Sequence, residues 1–131
     1  MPRPSSNQPT ELELEFLKIL WDHAPRLVRE IREELAKRGR DIAHTSVITT
    51  LNTMVDKTYL KRVKDGKAFL FSPRVTREQV SKKMLGAVVD RIFDGSAKAV
   101  LLSLFDCADI DSDELKELRK LINQKSREAG K

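Results

Sequence analysis

Apolar positions recur along the chain with two different periods. Leu12, Phe16, Ile19 and Leu20 follow i, i+4, i+7, i+8 spacing, which puts them on one face of a helix. Thr10 caps that helix, Glu11 and Glu13 complement its dipole, and Pro25 stops it near Asp22-His23. A second helix, about 27–38, turns Val28, Ile31 and Leu35 inward and ends at Gly39. A third, about 45–58, buries Val47, Leu51, Met54 and Val55, while its opposite face carries short hydrogen-bonding side chains in place of the usual Glu and Lys. The period then shortens. Residues 60–64 and 67–71 flank Asp65-Gly66, which predicts a hairpin with a type I′ turn, closed by Ser72-Pro73. Three short helices followed by a basic-tipped hairpin predict a winged helix-turn-helix.

From Thr76 the helical period returns, so the fold class is mainly α. Val80, Met84, Ala87, Val88 and Ile92 form the stripe of a long helix that Asp94-Gly95-Ser96 breaks. Ala97, Val100, Leu101, Leu104 and Phe105 form the buried stripe of a fifth helix. A sixth is capped by Ser112, carries Leu115, Leu118, Leu121 and Ile122, and should fray from Ser126. This organisation predicts a disordered, proline-rich tail at 1–9, a winged domain at 10–74 and a helical region at 76–126. About 50 residues of amphipathic helix struggle to bury a core alone. The helical region is therefore expected to dimerise through Val80, Met84, Val88, Leu101, Leu115, Leu118, Leu121 and Ile122; the alternative is that it folds back on its own winged domain.

Charge changes the picture more than composition does. The net charge is +5, and residues 37–67 hold eight cations against three acids, so the whole excess lies there. Such a run is either a solvated face or a surface for a polyanion. Four phosphates neutralised per chain would give a dimer a salt slope of roughly −7. No apolar run approaches the ~18 residues that span a bilayer, and the start of the chain lacks the apolar stretch of a signal peptide. A lone Cys107 excludes an internal disulfide. These features predict a soluble, cytoplasmic protein with no membrane insertion.

Catalysis is not expected. His23 and His44 are the only histidines and lie far apart, and Cys107 has no histidine near it in the sequence. Asp106, Asp109, Asp111 and Asp113 lack the central Gly and terminal Glu of a calcium loop, so no metal site is expected. No Gly-rich phosphate cradle occurs, and no cofactor is implied. Double-stranded DNA suits the third helix better: Thr45, Ser46, Thr49, Asn52 and Thr53, with His44 at its start, allow close approach to base edges and phosphates. Arg62, Lys64 and Lys67 are assigned to backbone phosphates, with protection of an edge strand as their alternative role. RNA fits less well, because the hairpin lacks a paired aromatic platform.

Leu14-Glu15-Phe16-Leu17-Lys18-Ile19-Leu20-Trp21, Val28-Arg29-Glu30-Ile31, Ala43-His44-Thr45-Ser46-Val47-Ile48-Thr49-Thr50-Leu51 and Gly66-Lys67-Ala68-Phe69-Leu70-Phe71-Ser72-Pro73 resemble the BlaI/MecI-type penicillinase repressors. The resemblance spans about residues 10–125. It implies a homodimeric repressor at an operator near β-lactamase or related genes, with Thr45, Ser46 and Thr49 opening the recognition helix. Ile48 and Thr53 depart from the longer polar residue and the Arg found in relatives, so the operator sequence is not carried over. The copper-responsive branch has cysteine pairs that this chain lacks. The resemblance also implies release by a membrane sensor-protease that cuts an Asn–Phe bond in the fifth helix, matched here by Ser103 and Leu104. Two rival readings are a winged-helix regulator released by a small ligand and a protein-interaction module that binds no DNA.

Overall fold

A computed structural model describes residues 8–130. Most of the expected tail, residues 1–7, lies outside the described residues, and Pro9 is buried rather than part of a free tail. Helix α1 (Glu11–Asp22) starts at a capping box: the Glu13 N–H donates to Thr10 Oγ1 (3.1 Å) and the Thr10 N–H to Glu13 Oε1 (2.8 Å). A two-residue strand β1 (Arg26–Leu27), too short to show a period in the sequence, precedes α2 (Val28–Lys37). Helix α2 ends in a Schellman motif. Gly39 sits at φ 96°, its N–H donates to Ala36 O, and the Arg40 N–H donates to Leu35 O. Helix α3 (His44–Asp56) follows.

Strands β2 (Leu60–Asp65) and β3 (Ala68–Pro73) pair antiparallel, and β1 adds to the far edge of β3, giving the order β1-β3-β2. Asp65 lies opposite Ala68, so the loop is Gly66-Lys67 rather than Asp65-Gly66. Gly66 has φ +63° and Lys67 does not share the positive region, the pattern of a type II′ turn instead of the expected I′. The core of this winged helix-turn-helix joins Phe16, Leu17, Ile19 and Leu20 of α1 to Ile31 and Leu35 of α2 and Val47, Leu51 and Met54 of α3, closed by Tyr59, Leu60 and Phe71.

Helix α4 (Arg77–Ile92) opens with a second reciprocal cap, Thr76 with Gln79 (2.9 and 3.1 Å). The Trp21 Nε1–H donates to the Val75 carbonyl (2.9 Å), and the Arg77 guanidinium lies 5.1 Å from the Trp21 ring centroid. Val80 is buried in the winged core and Met84, half-buried, packs on it, so both have partners within the single chain. The chain accordingly divides into two compact units inside α4, one ending at Gly86 and the other beginning at Ala87, rather than before Thr76.

The second unit contains α5 (Ala97–Cys107) and α6 (Ser112–Ala129). Ser96 caps α5. Asp111, not Ser112, caps α6, because its carboxylate accepts the Glu114 N–H (2.9 Å). Helix α6 continues to Ala129 instead of fraying at Ser126. No residue of α5 or α6 is buried. The stripe expected to be inside is open in the single chain, with Leu104 44% and Phe105 48% exposed. No helix among the described residues is long and apolar enough to cross a membrane.

Candidate nucleic-acid interface

The core fixes which side of α3 faces outward. Val47, Leu51 and Met54 lie inward, so His44, Thr45, Ser46, Thr49 and Thr53 are exposed and Asn52 and Thr50 are half-buried at the margin. No side chain caps the first turn of α3 and no acid lies in it, so its free N–H groups keep their attraction for an anion. The threonines use their hydroxyl protons locally. Thr49 donates to Thr45 O (2.9 Å), Thr50 to Ser46 O (2.8 Å) and Thr53 to Thr49 O (2.9 Å). Bonded this way, Thr49 offers an oxygen lone pair and a methyl group, suited to an amino group or a thymine methyl more than to a phosphate.

The basic run divides in two. Four of its eight cations are neutralised within the chain: Arg38 by Asp22 (2.7 Å) and Glu34 (3.4 Å), Arg40 by Glu15 (2.9 Å), Lys57 by Glu13 (3.1 Å) and, loosely, Lys37 by Glu34 (4.0 Å). Lys61, Arg62, Lys64 and Lys67 on the hairpin are exposed and have no acidic partner among the described residues. The usable positive charge is thus on the wing.

Glu13, only 3% exposed, ties the start of α1 to Lys57 just past the end of α3. Beside it, burial and then the Glu13 carboxylate push the Tyr59 hydroxyl pKa up, with Lys57 opposing. This buried pair left no sign in the sequence, since nothing in the spacing joins residues 13 and 57. The hairpin register does hold a readable sign. Arg62 faces Phe71 and Lys64 faces Phe69, so Arg62 is diagonal to Phe69. Its guanidinium lies 5.2 Å from that ring centroid, and its Nη1 donates to Asn52 Oδ1 (2.5 Å). A groove of about 630 Å³ runs between the wing and α3, with Asn52, Arg62, Lys67 and Phe69 in its walls. Lys64 is not among its lining residues.

The family model described as penicillinase repressor matches residues 9–124, nearly the whole chain. The chain belongs to the penicillinase repressor family. Relatives of this chain include the methicillin resistance regulatory protein MecI of Staphylococcus aureus, 25% identical over 113 residues that cover 86% of this chain and 91% of that protein. The transcriptional regulator BlaI of Mycobacterium tuberculosis is 29% identical over 114 residues, 86% of this chain and 80% of that one. Among solved structures, the DNA binding domain of the repressor BlaI is 25% identical with a TM-score of 0.50, covering 59% of this chain and 93% of that one. Members of the penicillinase repressor family are transcriptional repressors rather than enzymes.

The remaining expected residues fall in the second unit or at its edge. Leu101, Leu118, Leu121 and Ile122 converge, with Ala97 and Phe105, on an apolar groove between α5 and α6. Val88 and Leu115 are exposed but outside it. Ser103 is half-buried and its carbonyl accepts from the Cys107 thiol (3.0 Å), while Leu104 is exposed. No cluster of metal-ligating side chains occurs among the described residues.

Proposed function

We propose that the chain represses transcription as a homodimer on double-stranded operator DNA. In this reading α3 enters the major groove and the wing lies along the backbone. The observation that carries it is the distribution of charge: the chain neutralises its own cations everywhere in the basic run except on the wing, beside the exposed polar face of α3. A solvated face has no reason to divide that way, and a phosphate-binding edge does. Thr45, Ser46 and Thr49 read bases, and Lys64 and Lys67 hold phosphates. Operator binding places the protein in the cytoplasm. Fluorescence anisotropy with genomic fragments in a salt series tests the reading. Tight, salt-sensitive binding to a small set of fragments is expected, and affinity independent of salt would leave the interaction-module reading standing.

The helical region from Ala87 onward carries the dimer. Leu101, Leu121 and Ile122 are exposed in the single chain and gather on one apolar groove, and a second copy covers them. Release follows from the same helices. A sensor-protease that cut between Ser103 and Leu104 would detach Phe105 and all of α6 from the groove, and the two DNA-binding units would separate. Mass spectrometry of the protein from cells challenged with a β-lactam should find a fragment that begins at Leu104. An intact chain with its target gene induced would point to a small ligand.

A further inference from the structure

We propose that Arg62 is a positioning residue that turns the Asn52 amide so that only its N–H donors face DNA, rather than being a phosphate contact itself. The inference rests on the DNA-binding reading. Asn52 has one oxygen acceptor and two N–H donors on nearly indistinguishable ends, but a guanidinium only donates. The end that meets Arg62 Nη1 at 2.5 Å must therefore be the oxygen. Arg62 is itself held, because its guanidinium lies 5.2 Å from the Phe69 ring centroid on the neighbouring strand. The wing and the middle of α3 are thus joined through one side chain.

The orientation has a chemical consequence. Asparagine reads adenine by presenting its oxygen to N6 and its N–H to N7 together. With the oxygen bound to Arg62, Asn52 offers its Nδ2 donors instead. They match an acceptor: guanine O6 or N7, adenine N7, thymine O4, or a phosphate oxygen. The two-point reading of adenine is lost, and cytosine, which shows only its N4 amino donor in the major groove, is the base that this arrangement disfavours.

The test compares wild type, Arg62→Met, Asn52→Ala and the double variant on the tightest genomic fragment and on a random duplex, across salt. Each single change should weaken fragment binding about tenfold per half-site, the worth of one charge-assisted hydrogen bond. The double should lose no more than the worse single, and the salt slope should not move. Losses that multiply, with a slope smaller by about 0.9 for each Arg62 removed, would make Arg62 an ordinary phosphate contact and overturn the proposal. A loss on the fragment alone assigns the acceptor to a base, and equal loss on both duplexes assigns it to a phosphate. A wild-type chain that bound neither duplex would overturn the DNA-binding reading itself.

Discussion

Ser46 and Thr49 are exposed on the first turns of α3, and their expected role separates cleanly from that of the wing lysines. Ser46→Ala or Thr49→Ala should cost about 1–3 kcal/mol on the operator and little on random DNA. Lys64→Ala or Lys67→Ala should weaken both alike and flatten the salt dependence; equal losses for Thr49→Ala would show that α3 only positions the protein. Glu13 acts on stability instead. Its removal opens the α1 cap and leaves Lys57 without its partner, so Glu13→Ala should destabilise the winged unit by about 2–4 kcal/mol, read by urea denaturation. Tyr59 sets an alkaline limit. Its hydroxyl titrates higher in the folded chain than in the unfolded one, so the unfolded state releases that proton first. Stability should therefore hold below about pH 10 and fall as pH rises through the folded-state value. A Tyr59→Phe variant should lose that part of the decline.

Among the elements, the helices were legible because each has a period, and several also have an end signal: Thr10 before α1, Gly39 after α2, Thr76 with Gln79 at α4. The hairpin was legible as a hairpin but displaced by one residue, since Asp-Gly suits two registers and only the pairing of Asp65 with Ala68 decides between them. Strand β1 was not legible, because its two residues are strands only by virtue of facing Leu70 and Phe71. Of the site, residue types on α3 were readable and the available charge was not. The pairing of Arg38 with Asp22 and of Arg40 with Glu15 joins residues that only the folded chain brings together. Gly66 gives the hairpin its test. At φ +63° an L side chain is strained even though nothing lies within 4 Å of a Cβ there. Gly66→Val should cost about 1–2 kcal/mol and loosen the wing. A β-branched residue accepted with unchanged stability and unchanged DNA affinity would mean that the tip is not held in this turn.

For the molecule as a whole, the division of charge sets how strongly salt should act. With Arg62 engaged by Asn52, three wing lysines remain per chain, and a dimer that neutralises six phosphates should show a slope of about −5 rather than the −7 expected from the sequence run. The dimer itself should depend on the α5–α6 groove. Leu121, 57% exposed in the single chain, becomes a buried charge on dimerisation when changed to Asp, and Leu121→Asp should sediment as a monomer with its winged unit folded. An unchanged dimer would place the contact elsewhere. A different use comes from the seam at the base of α4. Trp21 is the only tryptophan in the sequence, and its indole is held by the Val75 carbonyl and covered by Arg77. The protein therefore carries its own optical gauge at the point where the chain leaves the wing. A red shift in emission that precedes the loss of helical circular dichroism would mark the letting-go of α4 while the winged core still stands.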